Sequence, residues 1–358
     1  MNQIDRDQRA AALARVMKKR KVDVVLTTDP LTIRALTGVC CDEAALYVIL
    51  DGKKSVEYSL ITDFRYVPMV HRVAPWLEVI PFPYHRGGLR VDENVKALGI
   101  DGNHTTFAVV EQWKTFFPKA RFVDLAMDLA SLRAVKTVSE LAIIRKAARL
   151  NDAIWQEASQ QFRPGMTEID MARMIRVQMD LRGDGEAFPT IVCVGKNAAE
   201  CHHIPDETVW HGTEPILVDM GVKMNGFCSD MTRNLVPAGV SALYREVYRL
   251  VLKANQLARK AARPGLMTDE LDAIARNFLT EKGYGEAFGH SLGHGVGLQV
   301  HELPFVCTSR RMVLEPGMTV TIEPGIYIEG ELGVRIEDLI VITPQGSSCL
   351  THSPKARA

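Results

Sequence analysis

The chain has 358 residues, 47% of them hydrophobic, long enough for two cores and apolar enough to bury both. Lysine plus arginine and aspartate plus glutamate each number 43, so there is no cationic surplus to neutralise a phosphate backbone, and nucleic acid is excluded as the expected ligand. Met1 to Lys21 is dense in charge and lacks the apolar run of about 7–15 residues that a secretory leader needs, and no later run is long enough to span a bilayer; a cytoplasmic protein without membrane contact is expected.

In chain order, Gln8 to Arg20 has helical patterning. Short β-rich runs follow: DVVLTT from Asp23, ALYVIL from Ala45, VEYSLIT from Val56, LEVIPF from Leu77 and TFAVV from Thr106. This mixture predicts a small α/β domain. A charged amphipathic stretch from Leu132, with Ser139 as a candidate cap, predicts the helix that opens a second domain, its charges between Glu140 and Arg149 forming a solvated face. The boundary falls near 130–136, giving domains 1–132 and 133–358. The seven cysteines are odd in number, scattered and without metal-knuckle spacing, as expected of reduced thiols.

The second domain contains an internal repeat. Arg163-Pro164-Gly165 returns as Arg263-Pro264-Gly265, and Gly185-Glu186-Ala187-Phe188 as Gly285-Glu286-Ala287-Phe288, both at an offset of 100. Each copy reads as a proline-glycine turn, an amphipathic helix and a glycine-bounded exit. A histidine-bearing segment comes next, then a strand with an acidic residue in an apolar run. Two duplicated units are therefore expected.

In the first copy, Asn225-Gly226 is a two-residue hairpin signal between β-rich arms. Such a turn pairs 224 with 227 and hence 221 with 230, so Asp219 and Asp230 share a face and converge, with Gly221 leaving room between them. In the second copy, Glu323 and Glu337 are equidistant from Gly330, and a hairpin there brings them face to face, with Pro324 weakening the ladder at its own position. Four converging carboxylates cannot all stay ionised without cations, and no matching cluster of Arg or Lys lies nearby. Hard divalent metals take such oxygens, and one imidazole suits a first-row transition ion. His294, among Gly293, Gly295 and Gly297, is the best nitrogen donor, and two ions fit this ligand count better than one.

These stretches resemble the pita-bread metallopeptidases, the M24 family that includes methionine aminopeptidase, Xaa-Pro aminopeptidase and prolidase. The matching segments are VDMG with Asp219, CSDMTR with Asp230, GHSLGHGVGLQVHELP with His294 and His301, TIEPGIYI with Glu323 and GVRIED with Glu337. They cover the whole second domain. ITDFRY from Ile61 and LRAVKTVSELAIIRKA look like the creatinase-type N-terminal half of the Xaa-Pro peptidases. The resemblance implies an α/β (α+β) chain in which a small creatinase-type domain precedes a pita-bread domain with a pseudo-twofold repeat.

It also implies a hydrolase of the bond before proline, acting on longer peptides or on dipeptides, with two divalent ions: manganese first, then cobalt, zinc or iron. By resemblance Asp230 and Glu337 bridge the ions, Asp219 completes one, and His294 with Glu323 completes the other. A bridging water is then the nucleophile, Glu323 shuttles its proton, and His202 and His301 stabilise the tetrahedral intermediate. Similar enzymes often carry Leu-Pro where this chain has Glu200-Cys201, so His203 stands as the alternative to His202. Arg335, Tyr327 and His290 are substrate-contacting candidates; the alternative for Arg335 is an ion pair with a ligand carboxylate, and for the other two, core packing. A homodimer through the first domain is implied by resemblance alone. A non-catalytic peptide-binding module, or a creatinase-like hydrolase working without metals, would be marked by lost ligands, and none is lost.

Overall fold

A computed structural model describes residues 1–51, 55–82 and 95–356. It divides the chain into two compact units, Met1–Arg133 and Ala134–Ala358.

The first unit is built on a mixed six-stranded sheet in the order Glu78–Phe82, Ser55–Asp63, Ala44–Asp51, Val24–Thr27, Ala97–Ile100, Arg121–Asp124. Val24–Thr27 is buried throughout, because the sheet is covered on both faces. Val25 joins Leu13, Met17, Ile33 and Leu36 on one side, and Val24 and Leu26 join Leu98, Trp113 and Phe117 on the other. The run at Thr106, expected as a strand, is instead the start of helix Phe107–Phe116. Thr106 caps it by accepting from Val109 N, and a five-residue apolar window cannot tell a strand from one turn of a buried helix. The strands Ala97–Ile100 and Arg121–Asp124 complete the sheet and were not expected.

In the second unit the expected opening helix runs Val138–Ser159, and its cap is Thr137 rather than Ser139. Thr137 Oγ1 accepts from Glu140 N while Glu140 accepts from Thr137 N, a reciprocal pair that places Ser139 inside the first turn. The duplication is visible in the backbone. Helices Glu168–Arg182 and Thr268–Glu281 begin at matching offsets. Gly165 N donates to Trp210 O, and Gly265 N to Leu314 O. Buried Asn151 and Asn255 each donate to the carbonyl of a strand's last residue, Met220 and Ile322, both at 2.8 Å. The first copy supports a three-stranded sheet and the second a five-stranded one, each with a two-stranded ribbon beside it.

Both hairpin registers are as the turns dictate. Met224 pairs with Phe227 and Met220 with Met231, in the frame that sets 221 against 230. Ile322 pairs with Asp338 and Gly325 with Arg335, the frame that sets Glu323 against Glu337. Pro324 divides this second ladder into two pieces, since it has no N–H to donate. The role expected for Gly221 is corrected: a Cβ there would lie 2.3 Å from Ser229 O and 2.6 Å from the Phe188 ring. The missing side chain admits the glycine-bounded exit of the preceding repeat helix, not an ion.

Candidate metal centre

Each candidate ligand sits where a ladder stops or bends. Asp219 is the penultimate residue of strand Ile216–Met220, and Asp230 directly precedes strand Met231–Leu235. Glu323 and Glu337 occupy the gap at Pro324, and His294 lies in the short strand Gly293–Gly295. Backbone that leaves a ladder is free to turn its side chains into the cleft. The glycines around His294 admit neighbouring backbone rather than metal, because Cβ atoms at Gly293 and Gly295 would lie 2.1 Å from Thr321 O and 2.2 Å from Leu303 O.

One ligand atom from each of Asp230, His294 and Glu337 lies within 4.8 Å of the others, and all three residues are buried. His294 Nε2 is 3.1 Å from Glu323 Oε1 and 3.7 Å from Asp230 Oδ2. Asp219 lines the same cleft and is held by Arg335, whose guanidinium donates to its Oδ2 at 2.7 Å. The structure thus gathers all five predicted ligands in one cleft of about 470 Å³.

The electrostatics are those of a site overloaded with negative charge. Burial, followed by the neighbouring carboxylates, pushes both Asp230 and Glu337 well above the usual carboxylate range. At Glu323 burial also acts upward but is outweighed by the hydrogen bond to His294 and its charge, which bring the carboxyl down to about 2. For His294 burial acts downward and Glu323 outweighs it, so the imidazole is raised. Asp219 Oδ1 is buried and accepts no hydrogen bond. An orphaned carboxylate oxygen, two carboxyls that repel their own ionisation, and an imidazole among oxygen donors together fit divalent cations.

The other candidates divide by position. His301 stacks edge-on to His294 with ring centroids 4.2 Å apart; the residue keeps exposed surface on the cleft, and partial desolvation of its ring, followed by the charge of His294, lowers its pKa. His202 is exposed on the cleft lining. His203 also borders the cleft, but its nitrogens face Glu168 at 2.7 Å and Glu200 at 3.1 Å, leaving neither free for a substrate. Arg335 makes an ion pair with a candidate ligand. Its Nε also donates to Thr232 Oγ1 at 3.1 Å and its other amino group to Tyr327 Oη at 2.9 Å. Tyr327 Oη lies 3.0 Å from His290 Nε2, and His290 Nδ1 lies 2.8 Å from Ser291 O. The second contact requires a proton on Nδ1, so the tyrosine hydroxyl donates to Nε2, and burial lowers the His290 pKa in keeping with a neutral ring. A hydrogen-bonded chain therefore runs from Asp219 through Arg335 and Tyr327 to His290.

Two threonines escaped the sequence reading. Thr232 Oγ1 donates to Glu337 Oε2 at 2.8 Å, and Thr321 Oγ1 donates to Glu323 Oε1 at 3.1 Å. Each stands two residues from a candidate ligand, Asp230 or Glu323, a strand-face spacing that could have flagged them.

A model of the creatinase/prolidase N-terminal domain matches residues 9–135 and a model of metallopeptidase family M24 matches residues 142–344. The Xaa-Pro dipeptidase of Pyrococcus furiosus is 32% identical over 97% of this chain and 99% of its own. Among solved structures, a Xaa-Pro dipeptidase from Bacillus anthracis superposes with TM-score 0.90 and 32% identity, covering 98% of this chain and 99% of its own. An X-Pro aminopeptidase from Thermotoga maritima does so with TM-score 0.85 and 30% identity, over 96% and 99%. Family model, relatives and the pita-bread arrangement agree: the chain belongs to metallopeptidase family M24.

Proposed function

We propose that this metallopeptidase hydrolyses the peptide bond preceding proline, with two divalent ions held by Asp219, Asp230, His294, Glu323 and Glu337. The observation that carries the reading is the convergence of four carboxylates and one imidazole in a single cleft, with Asp219 Oδ1 left unpartnered. Relatives of nearly the same length that are named for Xaa-Pro cleavage supply the substrate class. Bound there, the ions would offset the carboxylate charge and supply Lewis-acid polarisation of the scissile carbonyl.

The chain's own groups do the rest. Glu323 takes a proton from the attacking water as the C–O bond forms and a tetrahedral oxyanion develops, then delivers that proton to the prolyl nitrogen as the C–N bond breaks. His202 and His301, one from each half of the duplication, donate to the oxyanion as it develops. The Asp219–Arg335–Tyr327–His290 chain fixes the Asp219 carboxylate and sets His290 on the cleft lining, with Tyr327 behind it. Phe188, Ile191 and Phe305 give the cleft an apolar wall suited to a prolyl ring.

Manganese is the first metal to test, before cobalt, zinc and iron, because the donors are mainly hard oxygens with one nitrogen. A homodimer rests on the family resemblance alone. The deciding experiment compares Ala-Pro, Ala-Pro-Ala and Ala-Ala with each metal added. Cleavage of either proline peptide over Ala-Ala supports the reading and separates dipeptidase from aminopeptidase. Cleavage of Ala-Ala at an equal rate refutes proline specificity.

A further inference from the structure

Apart from the five candidate ligands, a second group of ligand-type side chains lies together: Glu168, His203 and Asp206. Its wiring suits a proton rather than a metal. Glu168 opens helix Glu168–Arg182 and is fully buried. Its Oε1 accepts from Val194 N at 2.6 Å and Asn197 Nδ2 at 2.9 Å. Its Oε2 accepts from Asp206 N at 3.1 Å and lies 2.7 Å from His203 Nε2. Four donors use up the lone pairs of one carboxylate and leave none for an ion. His203 is held between Glu168 and Glu200, and although burial acts against its proton, the hydrogen bonds it donates to the two carboxylates prevail and raise its pKa.

All four donors belong to the segment 194–206, whose middle brings Cys201 and His202 to the cleft. The opposite side of this segment is gripped as well. Cys201 O accepts from the Arg335 guanidinium at 3.3 Å, and Ala198 O comes so near Gly333 that a Cβ there would lie 1.7 Å from it. The segment is thus clamped between a helix start and the strand Leu332–Arg335.

The duplication provides an internal control. Thr268 stands at the position equivalent to Glu168, and the two amides close the same bond, Glu168 N to Thr208 O at 3.1 Å and Thr268 N to Met312 O at 2.9 Å. Thr268 Oγ1 donates to Arg310 O and accepts from Met312 N, both at 3.0 Å. A hydroxyl is therefore enough to fasten this helix to its neighbour. A carboxylate that collects four donors occurs in the half whose loop carries His202.

We propose that Glu168 is a positioning residue for hydrolysis: through Val194, Asn197, His203 and Asp206 it fixes the 194–206 segment so that His202 faces the cleft. The proposal rests on the reading of His202 as a catalytic group. The test is a kinetic double-mutant cycle of Glu168→Gln and His202→Asn in the metal-loaded full chain, with the Xaa-Pro peptide that it cleaves. Glutamine keeps the size but turns one acceptor into a donor facing N–H groups. The expected result is a fall in kcat of about 10–100-fold with KM changed less than about threefold, and little further loss when the substitution is added to His202→Asn. Multiplicative losses would overturn the proposal, because Glu168 would then act independently of His202. Parental kcat in His202→Asn alone would instead refute the role given to that histidine. Should Glu168→Gln fail to fold, Asn197→Ala removes one of the four donors; a loss confined to the chain with His202 intact supports the proposal, and an equal loss in both backgrounds overturns it.

Discussion

Replacing Arg335 with methionine isolates the electrostatic problem at the centre of this fold. The guanidinium is 2% exposed and donates to Asp219, Thr232, Tyr327 and the Cys201 carbonyl. Methionine fills much of the same space without charge or donors. Asp219 Oδ1 already lacks a partner, so Arg335→Met leaves both oxygens of that carboxylate without their cation. Truncating one member of a buried ion pair costs about 3–5 kcal/mol. At about 2–4 °C per kcal/mol for a unit of this size, the metal-free variant should melt about 6–20 °C below the parent. Saturating Mn²⁺ should narrow the gap, because an ion on Asp219 replaces the lost charge. Scanning calorimetry with chelator and with metal measures both. A metal-free shift under about 2 °C, the size expected of a surface pair, would refute the reasoning.

His301→Asn should lower kcat by about 10²–10³-fold while leaving the melting temperature unchanged, since His301 is exposed; parental turnover would remove it from the oxyanion role. Gly333→Ala should displace the Ala198 carbonyl and with it the 194–206 segment, cutting turnover and stability together, as melting and kinetics on one sample would show. The His203 pKa is raised in the folded chain, so its contribution to stability is complete below its ordinary value of about 6.5 and fades as pH rises through the folded value. The melting temperatures of the parent and His203→Gln should therefore converge as pH is raised from about 6 to 9, and a constant gap would contradict the assignment.

The hairpins were legible because their turns are written locally. Asn225-Gly226 sets one register and Gly330 the other, and strand periodicity then carries Asp219, Asp230, Glu323 and Glu337 to their places. The repeat was legible for the same reason, its marker residues recurring at a fixed offset. Contacts between distant segments were not. Nothing near Glu168 announces that it will hold Val194 and His203, because those partners arrive only when the helix packs beside the loop. Helix Phe107–Phe116 reads as a strand in any window that stops before Trp113, whose burial reveals the helical face. At Gly221 the sequence shows that a side chain is missing without showing that Ser229, Phe188 and Ala187 fill the space.

The central claim is that this cluster of carboxylates exists to hold cations. Elemental analysis of the purified chain, dialysed against manganese and then against metal-free buffer, tests it most directly. The account predicts two ions per chain in the parent and fewer in Asp230→Asn. A parent that retains none, or a variant that retains as many as the parent, would contradict it.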